Sequence, residues 1–202
     1  MTGVQTCALP ILSVVQNEMI MHCFDVLICQ LKGLPIPVPE FDQLLERGIF
    51  VTWKTIEKNE YRLRGCIGCL SPVPLSNIER YARASAFEDP RFSPIRLSEV
   101  KRLQCTVSLL YDFEDANDPM DWEVGRHGII ISFEERNRHY RAVYLPEVAT
   151  EQGWDKEETL EHLIEKSGYY GSTPVIDHIH LRRFQTEKKS LSYEQYVELL
   201  KE

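Results

Sequence analysis

The pattern of apolar positions first predicts a helix, because apolar residues recur every three or four positions through residues 13–32. Gly33 follows as a stop signal, since glycine readily takes the left-handed backbone that ends a helix. Residues 34–39 hold three prolines, and each proline forces the residue before it into an extended conformation. We therefore expect a helix followed by an extended, proline-rich strap on the surface.

A hairpin and a second helix are predicted next. β-branched and aromatic residues dominate residues 48–56, which is typical of a strand, and residues 58–60 form the turn into a second strand at residues 61–68. Pro74 suits the first turn of a helix, and apolar residues then recur at helical spacing as far as Phe87. This part of the chain therefore indicates two paired strands followed by a helix.

The second half of the chain repeats this alternation of strands and helices. Asp155 is placed to cap a helix that extends to Ser167, and residues 192–201 predict a closing helix. The remaining predicted elements are strands at residues 103–111, 128–133, 139–145 and 179–184, with an acidic stretch at residues 112–121. Hairpins that alternate with helices indicate an α+β fold with a largely antiparallel sheet.

The net charge of −8 narrows the kinds of partner that this chain would meet. So acidic a surface argues against non-specific binding of nucleic acid, because neutralising phosphates takes a basic patch. A basic cluster near the C-terminus is expected at a solvated edge; its members are Arg182, Arg183, Lys188 and Lys189. The sequence holds no run of about 18 apolar residues, so no membrane span is expected.

Two further features concern the setting of the chain and its first residues. Six cysteines without an export signal are typical of reduced thiols, so we expect an intracellular protein, cytoplasmic or nuclear. Residues 1–11 resemble a translated sequencing adapter more than part of a protein. We therefore expect a non-native segment at residues 1–11 and a single domain at residues 12–202.

The stretch from Arg62 to Gly68, RLRGCIG, holds the densest candidate chemistry. Side chains two apart in a strand point the same way, so Arg62, Arg64 and Cys66 are expected on one face. An arginine beside a cysteine favours the thiolate, which is the reactive form of that side chain. Cys66 is therefore a candidate nucleophile or ligand contact, and the alternative is a small buried strand residue.

Two other groups could join this cysteine. Glu88, Asp89 and Arg91 follow the predicted helix, where they would line the mouth of a cleft or simply stabilise a turn. His127 lies in a glycine-flanked turn and could titrate near neutral pH, or it could hold the turn in place. Both groups keep a structural alternative beside the functional one.

Cys66 and Cys69 form a C-x-x-C pair, which could be a redox dithiol or half of a zinc site. A structural zinc site needs four ligands, and Cys23 with Cys29 makes a poor second pair on a predicted helix. We therefore expect neither a metal ion nor a cofactor in this protein.

Five blocks of sequence together resemble one protein family. They are residues 48–52 (GIFVT), 63–68 (LRGCIG), 86–92 (AFEDPRF), 121–128 (DWEVGRHG) and 144–155 (YLPEV followed by EQGWD). In order and spacing they resemble the AMMECR family, and residues 22–27 and 192–196 resemble its eukaryotic branch. One position departs from the pattern, since Cys69 stands where the family usually has threonine.

The resemblance implies a large and a small lobe around one barrel-like sheet, built from duplicated strand–helix units. It also implies an intracellular protein from a family whose biochemical activity is not established. The expected fold class is thus α+β with a largely antiparallel, barrel-like sheet and flanking helices.

The function that these residues favour is binding of a small or peptide-like anionic ligand in a cleft around the LRGCIG motif. The expected ligand contacts are Arg64, Gly65, Gly68, Asp89 and Arg91. An enzyme would use the same cleft, with Cys66 as nucleophile and Glu88 or His127 as acid or base. A third alternative is an interaction adaptor, in which the proline-rich strap or the acidic stretch meets a protein partner.

Overall fold

The computed structural model describes residues 14–58, 60–171 and 175–201. The helices of this part of the chain are α1 (Asn17–Lys32), α2 (Asn77–Phe87), α3 (Pro146–Gln152), α4 (Lys156–Lys166) and α5 (Tyr193–Leu199). Its strands are β1 (Glu46–Glu57), β2 (Glu60–Pro74), β3 (Leu103–Asp115), β4 (Gly128–Glu135), β5 (Arg138–Tyr144) and β6 (His180–Ser192). Short 3₁₀ helices, Val100–Arg102 and Ile176–His178, precede β3 and β6.

The strands form one antiparallel sheet in the order β2-β1-β3-β6-β4-β5. A small apolar cluster of Leu110, Ile130 and Phe184 lies on one of its faces. Leu70 on β2 and Val143 on β5 both pack against this cluster, although they belong to opposite edge strands. The sheet therefore curls into a half-barrel with this cluster on its inner face. The predicted α+β class with a barrel-like antiparallel sheet is confirmed.

Helices α1, α2 and α5 cover the outer face of β1 and β3 and build the larger core. Phe24 on α1 is central to it, since its ring centroid lies 5.2 Å from that of Trp53 on β1 and 4.9 Å from that of Tyr196 on α5. Aromatic side chains bury more apolar area than any others, so these contacts hold α1 and α5 to the sheet. Gly33 ends α1 with φ 66°, as the sequence predicts.

Helix α4 packs against β5 and builds a second core with the outward side chains of β4 and β6. Leu160 and Leu163 are fully buried there beside Leu181 of β6. The side chain of Asp155 accepts the N–H of Glu158, and the Glu158 carboxylate accepts the N–H of Asp155. This reciprocal capping box starts α4 at the position predicted from the sequence.

Several boundaries differ from the sequence prediction. Pro74 belongs to β2, and α2 begins only at Asn77, because β1 and β2 stay paired as far as Glu46 and Pro74. Pro146 opens α3, a helix that the apolar pattern did not predict. Strand β6 continues to Ser192 and pairs with both β3 and β4. The basic cluster that includes Arg182 and Lys188 therefore lies on an interior strand, so its expected place at a solvated edge is wrong.

Two expectations concern the bounds of the domain and the presence of a membrane span. The adapter-derived segment predicted at residues 1–11 lies outside the described residues, and the domain bounds 12–202 stay a prediction. Among the helices that the structure describes, none has the length and apolar character needed to cross a membrane.

Candidate functional site

Cys66 lies on the edge strand β2, and its side chain points to the inner face of the half-barrel. It pairs with Thr52 on β1, whose neighbours Val51 and Trp53 are buried in the outer core. Because side chains alternate along a strand, Thr52 and Cys66 share the opposite, inner face. Thr52 Oγ1 donates a hydrogen bond to Cys66 Sγ at 3.1 Å. The cysteine is half-buried, so it is not sealed inside the hydrophobic core.

The strand register extends this pair into a row of four polar side chains. Thr52 faces Thr106 on β3, and Thr106 faces Ser190 on β6. The hydroxyl oxygens of Thr106 and Ser190 lie 2.7 Å apart and share a hydrogen bond. Neighbouring strands are about 4.8 Å apart, so the row spans about 14 Å across the inner face. We term Cys66, Thr52, Thr106 and Ser190 the hydroxyl–thiol row.

Two lysines flank the hydroxyl–thiol row on the same face. Lys188 lies two residues from Ser190 on β6, and its ammonium forms an ion pair with Glu147 at 3.0 Å. Lys54 lies two residues from Thr52 on β1, opposite Gln104, and forms no ion pair within the described ranges. Lys54 is therefore a cation beside the row whose charge is not matched by a carboxylate of the described residues.

The loop after α2 clamps the backbone of Cys66 along the open side of the edge strand. The N–H of Cys66 donates to Asp89 Oδ2 at 2.9 Å. Its carbonyl oxygen accepts from Arg91 Nη2 at 3.2 Å. These bonds occupy backbone groups that an edge strand would otherwise leave free for another chain. The loop does reach Cys66, as expected, and its described hydrogen bonds go to the backbone of that residue. The charge of Arg91 also interacts with Cys66.

Asp89 is the charged centre of this clamp. Its side chain is only 2% exposed, and it forms an ion pair with Arg91 at 2.7 Å. Hydrogen bonds from the Arg91 side chain hold the pKa of Asp89 far below its usual range, and the N–H of Cys66 adds to this effect. Asp89 is thus an ionised carboxylate that positions Cys66, and it does not exchange protons near neutral pH.

A β-bulge at Arg64 breaks the alternation on which the sequence prediction relied. On one side of the bulge Thr52 pairs with Cys66, and on the other side Thr55 pairs with Arg62. Thr52 and Thr55 point to opposite faces of β1, so Cys66 and Arg62 do so as well. The expectation that Arg62, Arg64 and Cys66 share one face is therefore wrong.

Arg64 holds a neighbouring loop and does not act on the thiol. Its guanidinium forms a bidentate ion pair with Glu99, with distances of 2.8 Å and 3.2 Å. The same group donates to the carbonyl oxygens of Ser93 and Pro94. The hydrogen bonds from Arg64 also lower the pKa of Glu99. With 13% of its side chain exposed, Arg64 is largely committed to these protein contacts.

The two glycines of the motif let protein elements approach each other closely. A Cβ atom on Gly65 would overlap the carbonyl oxygen of Ser85 on α2. A Cβ atom on Gly68 would overlap the carbonyl oxygen of Ile49 on β1. Both positions therefore need glycine for packing, which accounts for them without any ligand.

Glu88 is the C-cap of α2, and its side chain does not take part in the site around Cys66 as expected. Its N–H donates to the carbonyl oxygen of Ala84 at 2.8 Å, and its side chain is exposed. The carboxylate forms no ion pair with any residue that the structure describes. The loop thus brings Asp89 and Arg91 to Cys66 but leaves Glu88 facing solvent.

His127 lies just before β4, and three strands separate β4 from β2 in the sheet. Its Nδ1 accepts the N–H of Glu123 at 2.9 Å, which places the proton of the neutral ring on Nε2. Burial lowers the pKa of His127, and the nearby charges of Arg126 and Arg183 lower it further. His127 is therefore a neutral residue that holds its own turn, away from the Cys66 strand.

Cys66 and Cys69 point to opposite faces of β2. Cys69 pairs with Ile49, a residue of the outer core, and its Sγ donates to the carbonyl oxygen of Ser71 at 3.1 Å. Residues three apart in a strand cannot present both thiols to one partner, so a local dithiol or zinc half-site does not form. Within the described ranges, no group of three or more His, Cys, Asp or Glu side chains could hold a metal ion.

Comparison with known proteins places this fold and motif in a family. The family model AMMECR1 matches residues 18–189. This chain belongs to the AMMECR1 family. Its relatives include uncharacterised protein At2g38710 of Arabidopsis thaliana, 45% identical over 92% of this chain and 89% of the relative. Uncharacterised protein C688.03c of Schizosaccharomyces pombe is 40% identical over 90% of this chain and 95% of that protein.

The AMMECR1 relatives extend to archaea. Protein MJ0810 of Methanocaldococcus jannaschii is 34% identical over 78% of this chain and 80% of its own length. The crystal structure of the uncharacterised protein PH0010 from Pyrococcus horikoshii superposes with a TM-score of 0.65. That likeness covers 87% of this chain and 90% of the archaeal chain at 27% identity, so the half-barrel is shared by a solved structure.

In this AMMECR1 chain, two of the blocks that carry the resemblance contact each other. Residues 86–92 supply the clamp, and residues 63–68 supply the backbone that it holds. Sequence reasoning missed Thr52, Thr106 and Ser190, because they are ordinary strand residues in no motif. Alternation alone could have assigned each of them to a face, but not the order in which the strands lie side by side.

Proposed function

We propose that this AMMECR1-family protein binds a small or peptide-like anionic ligand on the inner face of its half-barrel, around the LRGCIG motif. The observation that carries the proposal is the hydroxyl–thiol row beside an unmatched cation, Lys54. We leave Arg64 out of the proposed ligand contacts, because its guanidinium is bound to Glu99. The positive charge of the site is thus assigned to Lys54.

The row supplies the donors that an anion needs. One hydroxyl of the Thr106–Ser190 pair keeps an O–H that can rotate towards a ligand, and the Lys54 ammonium carries three donors. The O–H of Thr52 is donated to Cys66 Sγ and would have to turn from the thiol to reach a ligand. Thr106 is 8% exposed, so the ligand would reach Thr52 and Ser190 more readily. Charge-assisted hydrogen bonds from Lys54 are the strongest contacts available to such a ligand.

The clamp on Cys66 decides how a peptide-like ligand would lie. Peptides often bind to a sheet by adding a strand along an open edge. At Cys66 that edge is occupied, because Asp89 and Arg91 bond to its backbone N–H and carbonyl. A ligand would therefore lie across the face of the sheet and use side chains, which favours a compact anion over an added strand.

Binding accounts for the site with fewer groups than catalysis. A cysteine nucleophile is activated by a base within hydrogen-bond reach or by a neighbouring positive charge. The described hydrogen bond of Cys66 Sγ comes from Thr52, which donates to it and takes no proton. Arg91 is a positive charge near Cys66, but Asp89 already matches it. Glu88 faces solvent and His127 lies elsewhere. The enzyme alternative with Cys66 as nucleophile is therefore the weaker one.

A titration followed by NMR tests the proposal, with inorganic phosphate and succinate as probes. We expect either anion to shift the amide signals of Cys66, Thr52 and Thr106 at millimolar concentrations. Lys54→Gln should weaken this binding about tenfold, because the variant removes the unmatched charge. Lys58→Gln is the matched control, since Lys58 lies on the same chain segment in the exposed turn after β1.

Two outcomes would count against binding at this face. One is the lack of any shift at the hydroxyl–thiol row with both probes, and the other is equal affinity in Lys54→Gln and wild type. Iodoacetamide separates binding from catalysis. Rapid alkylation of Cys66 at neutral pH, suppressed by either anion, would support the enzyme alternative with Cys66 as nucleophile.

The adaptor alternative rests on a different surface. Val38 and Leu34 on the proline-rich strap are 82% and 54% exposed. Beside the strap lies a groove of about 340 Å³, lined in part by Met21 and Leu200. A protein partner that is lost on Val38→Ser but retained by Lys54→Gln would favour this alternative over anion binding.

The free thiols indicate the cellular compartment in which this function would take place. The five cysteines in the described part of the chain are all free. Free thiols persist in reducing compartments, so we propose an intracellular location, cytoplasmic or nuclear. A reporter fusion found in the secretory pathway would contradict it.

A further inference from the structure

A cavity of about 260 Å³ lies at the other end of the inner face, where the curled sheet brings β2 close to β4, β5 and β6. We term it the arginine cavity. It is lined in part by Arg141, Arg182, His180 and Ser132, and by the apolar side chains of Leu70, Phe113 and Ile130. A site for a small ligand combines an apolar wall with a few converging polar groups, and this cavity has both.

Strand register explains why its polar groups converge. Ser132 on β4 faces Arg141 on β5 and His180 on β6. The adjacent row on the same face places Ile130 beside Arg182. Arg141 on β5 and Arg182 on β6 lie on either side of β4 and one row apart, so their backbones are about 12 Å apart. Two long arginine side chains that both line the cavity can close this gap on one carboxylate or phosphate group.

The charges of the cavity are only partly matched by protein. Asp115 lies 3.4 Å from His180 and 3.8 Å from Arg182, and its side chain is 68% exposed. Arg141 forms no ion pair with any residue in the described ranges. The cavity therefore carries excess positive charge in a protein whose net charge is −8, and an unmatched arginine is suited to carboxylate or phosphate recognition.

The apolar wall is held rigid by aromatic contacts. The ring of Phe113 stacks on that of Phe184 with centroids 5.2 Å apart. The guanidinium of Arg182 lies 5.3 Å from the Phe113 ring centroid. Stacking on one ring fixes both the wall and the direction of the arginine, so the pocket is largely formed before a ligand arrives.

We infer that the arginine cavity binds a small organic anion, with its carboxylate or phosphate between Arg141 and Arg182 and its apolar body against Phe113 and Ile130. The volume lies just below the usual range of about 300–1,000 Å³ for ligand sites, so a single small molecule fits and a folded partner does not. Cys66 and Leu70 are four residues apart on β2, about 13 Å, so this site is separate from the hydroxyl–thiol row.

NMR titration with benzoate and phenyl phosphate tests the inference. Both probes should shift the amide signals of Ile130, Ser132 and Arg182. Arg141→Gln should weaken binding of at least one probe about tenfold or more. Arg182→Gln should act in the same direction, and it serves as the second variant if Arg141→Gln fails to fold.

Matched controls separate this cavity from general attraction of anions. Arg136→Gln removes an arginine that is 85% exposed at the tip of the same β4–β5 hairpin, and it should leave the affinity unchanged. Lys54→Gln should also leave it unchanged, because Lys54 belongs to the other site. A loss of affinity equal to that of Arg141→Gln in either control would overturn the inference.

The apolar wall is tested by comparing phenyl phosphate with inorganic phosphate. We expect phenyl phosphate to bind more tightly, and Phe113→Ala to remove that advantage while inorganic phosphate is affected less. Equal affinities for the two phosphates would overturn the organic part of the assignment. The lack of any shift at Ile130 and Ser132 with either organic probe would overturn the site itself, whether or not the hydroxyl–thiol row binds anions.

Discussion

The two ends of the inner face use arginine in opposite ways. Near Cys66, Arg64 and Arg91 are occupied by Glu99, Asp89 and backbone carbonyls. In the arginine cavity, Arg141 forms no ion pair within the described ranges. The guanidinium groups near Cys66 thus hold a loop and the edge strand in place, whereas Arg141 is the arginine that we infer to be left for a ligand.

This contrast shows that a charged motif is not by itself a charged site. An arginine that is paired with a buried carboxylate stabilises the fold. Removing either partner leaves the other one unpaired and lowers the free energy of unfolding. An arginine without a partner contributes little to stability and can be matched by an anion from solution. Variants in the two regions should therefore differ in which property they change.

The largest loss of stability is expected from Gly65→Ala. The new Cβ would overlap the carbonyl oxygen of Ser85, so α2 must shift away from β2. Overpacking of this kind should lower the free energy of unfolding by about 3 kcal/mol, measured by urea denaturation. Gly153→Ala is the control, because Gly153 has open space around it and only its φ of 74° opposes alanine. It should cost about 1 kcal/mol, and equal costs would refute the close approach.

Asp89→Asn comes next, with an expected loss of about 2 kcal/mol at neutral pH, since hydrogen bonds to a charged group are lost. The loss should depend on pH. Because the folded pKa of Asp89 lies below its unfolded value of about 3.9, the ionised carboxylate stabilises the folded state above that pH. The contribution is complete above about pH 5 and declines as the pH falls below about 4.

Urea denaturation of wild type and Asp89→Asn over this pH range measures the effect. The difference in free energy of unfolding should be constant near neutral pH and shrink on acidification. A difference that stays the same down to pH 3 would mean that Asp89 is not the ionised centre of the clamp.

Arg64→Ala should have a smaller effect, about 1.5 kcal/mol, because it releases Glu99 and the loop around Ser93. We expect its affinity for benzoate to equal that of wild type. Arg62→Ala is the matched control on the same strand, since Arg62 is 66% exposed and its ion pairs are 3.8 Å and 3.9 Å long. Its free energy of unfolding should change by less than about 0.5 kcal/mol. If Arg64→Ala and Arg62→Ala change the free energy of unfolding equally, the bulge does not give the two arginines different roles.

The smallest change in stability is expected from Arg141→Gln, within about 0.5 kcal/mol of wild type. The side chain is exposed and has no partner to lose, although we expect the same variant to lose benzoate binding. A large drop in the free energy of unfolding would show that Arg141 is structural, and the contrast with Arg64 would then disappear.

The sequence predicted the helices and strands better than it predicted which of them lie side by side in the fold. The helix before Gly33, the cap at Asp155 and the hairpins were all predicted, because periodicity and capping depend on residues close together in the chain. Helix α3 and the length of β6 were missed. Pairing on both sides extends β6, and no local pattern reports a partner strand.

The candidate site was predicted only in part, for the same reason. The meeting of Cys66 with Asp89 and Arg91 was anticipated from one connecting helix. The bulge at Arg64 was not, because it depends on how β1 and β2 slide into register. A shift by one residue turns every later side chain to the other face, so Arg62 and Cys66 separate.

Residue order alone was enough for the α+β class, the family, the end of α1 at Gly33 and the start of α4 at Asp155, because hydrophobic periodicity and turn chemistry act over a few residues. Folding in three dimensions decided which arginines are occupied, and it left Lys54 and Arg141 without an ion pair among the described residues. It also made Thr52, Thr106 and Ser190 neighbours, and it placed Arg141 beside Ser132 and His180. These outcomes depend on strand order, register and the curl of the sheet, which arise from contacts between residues far apart in the chain.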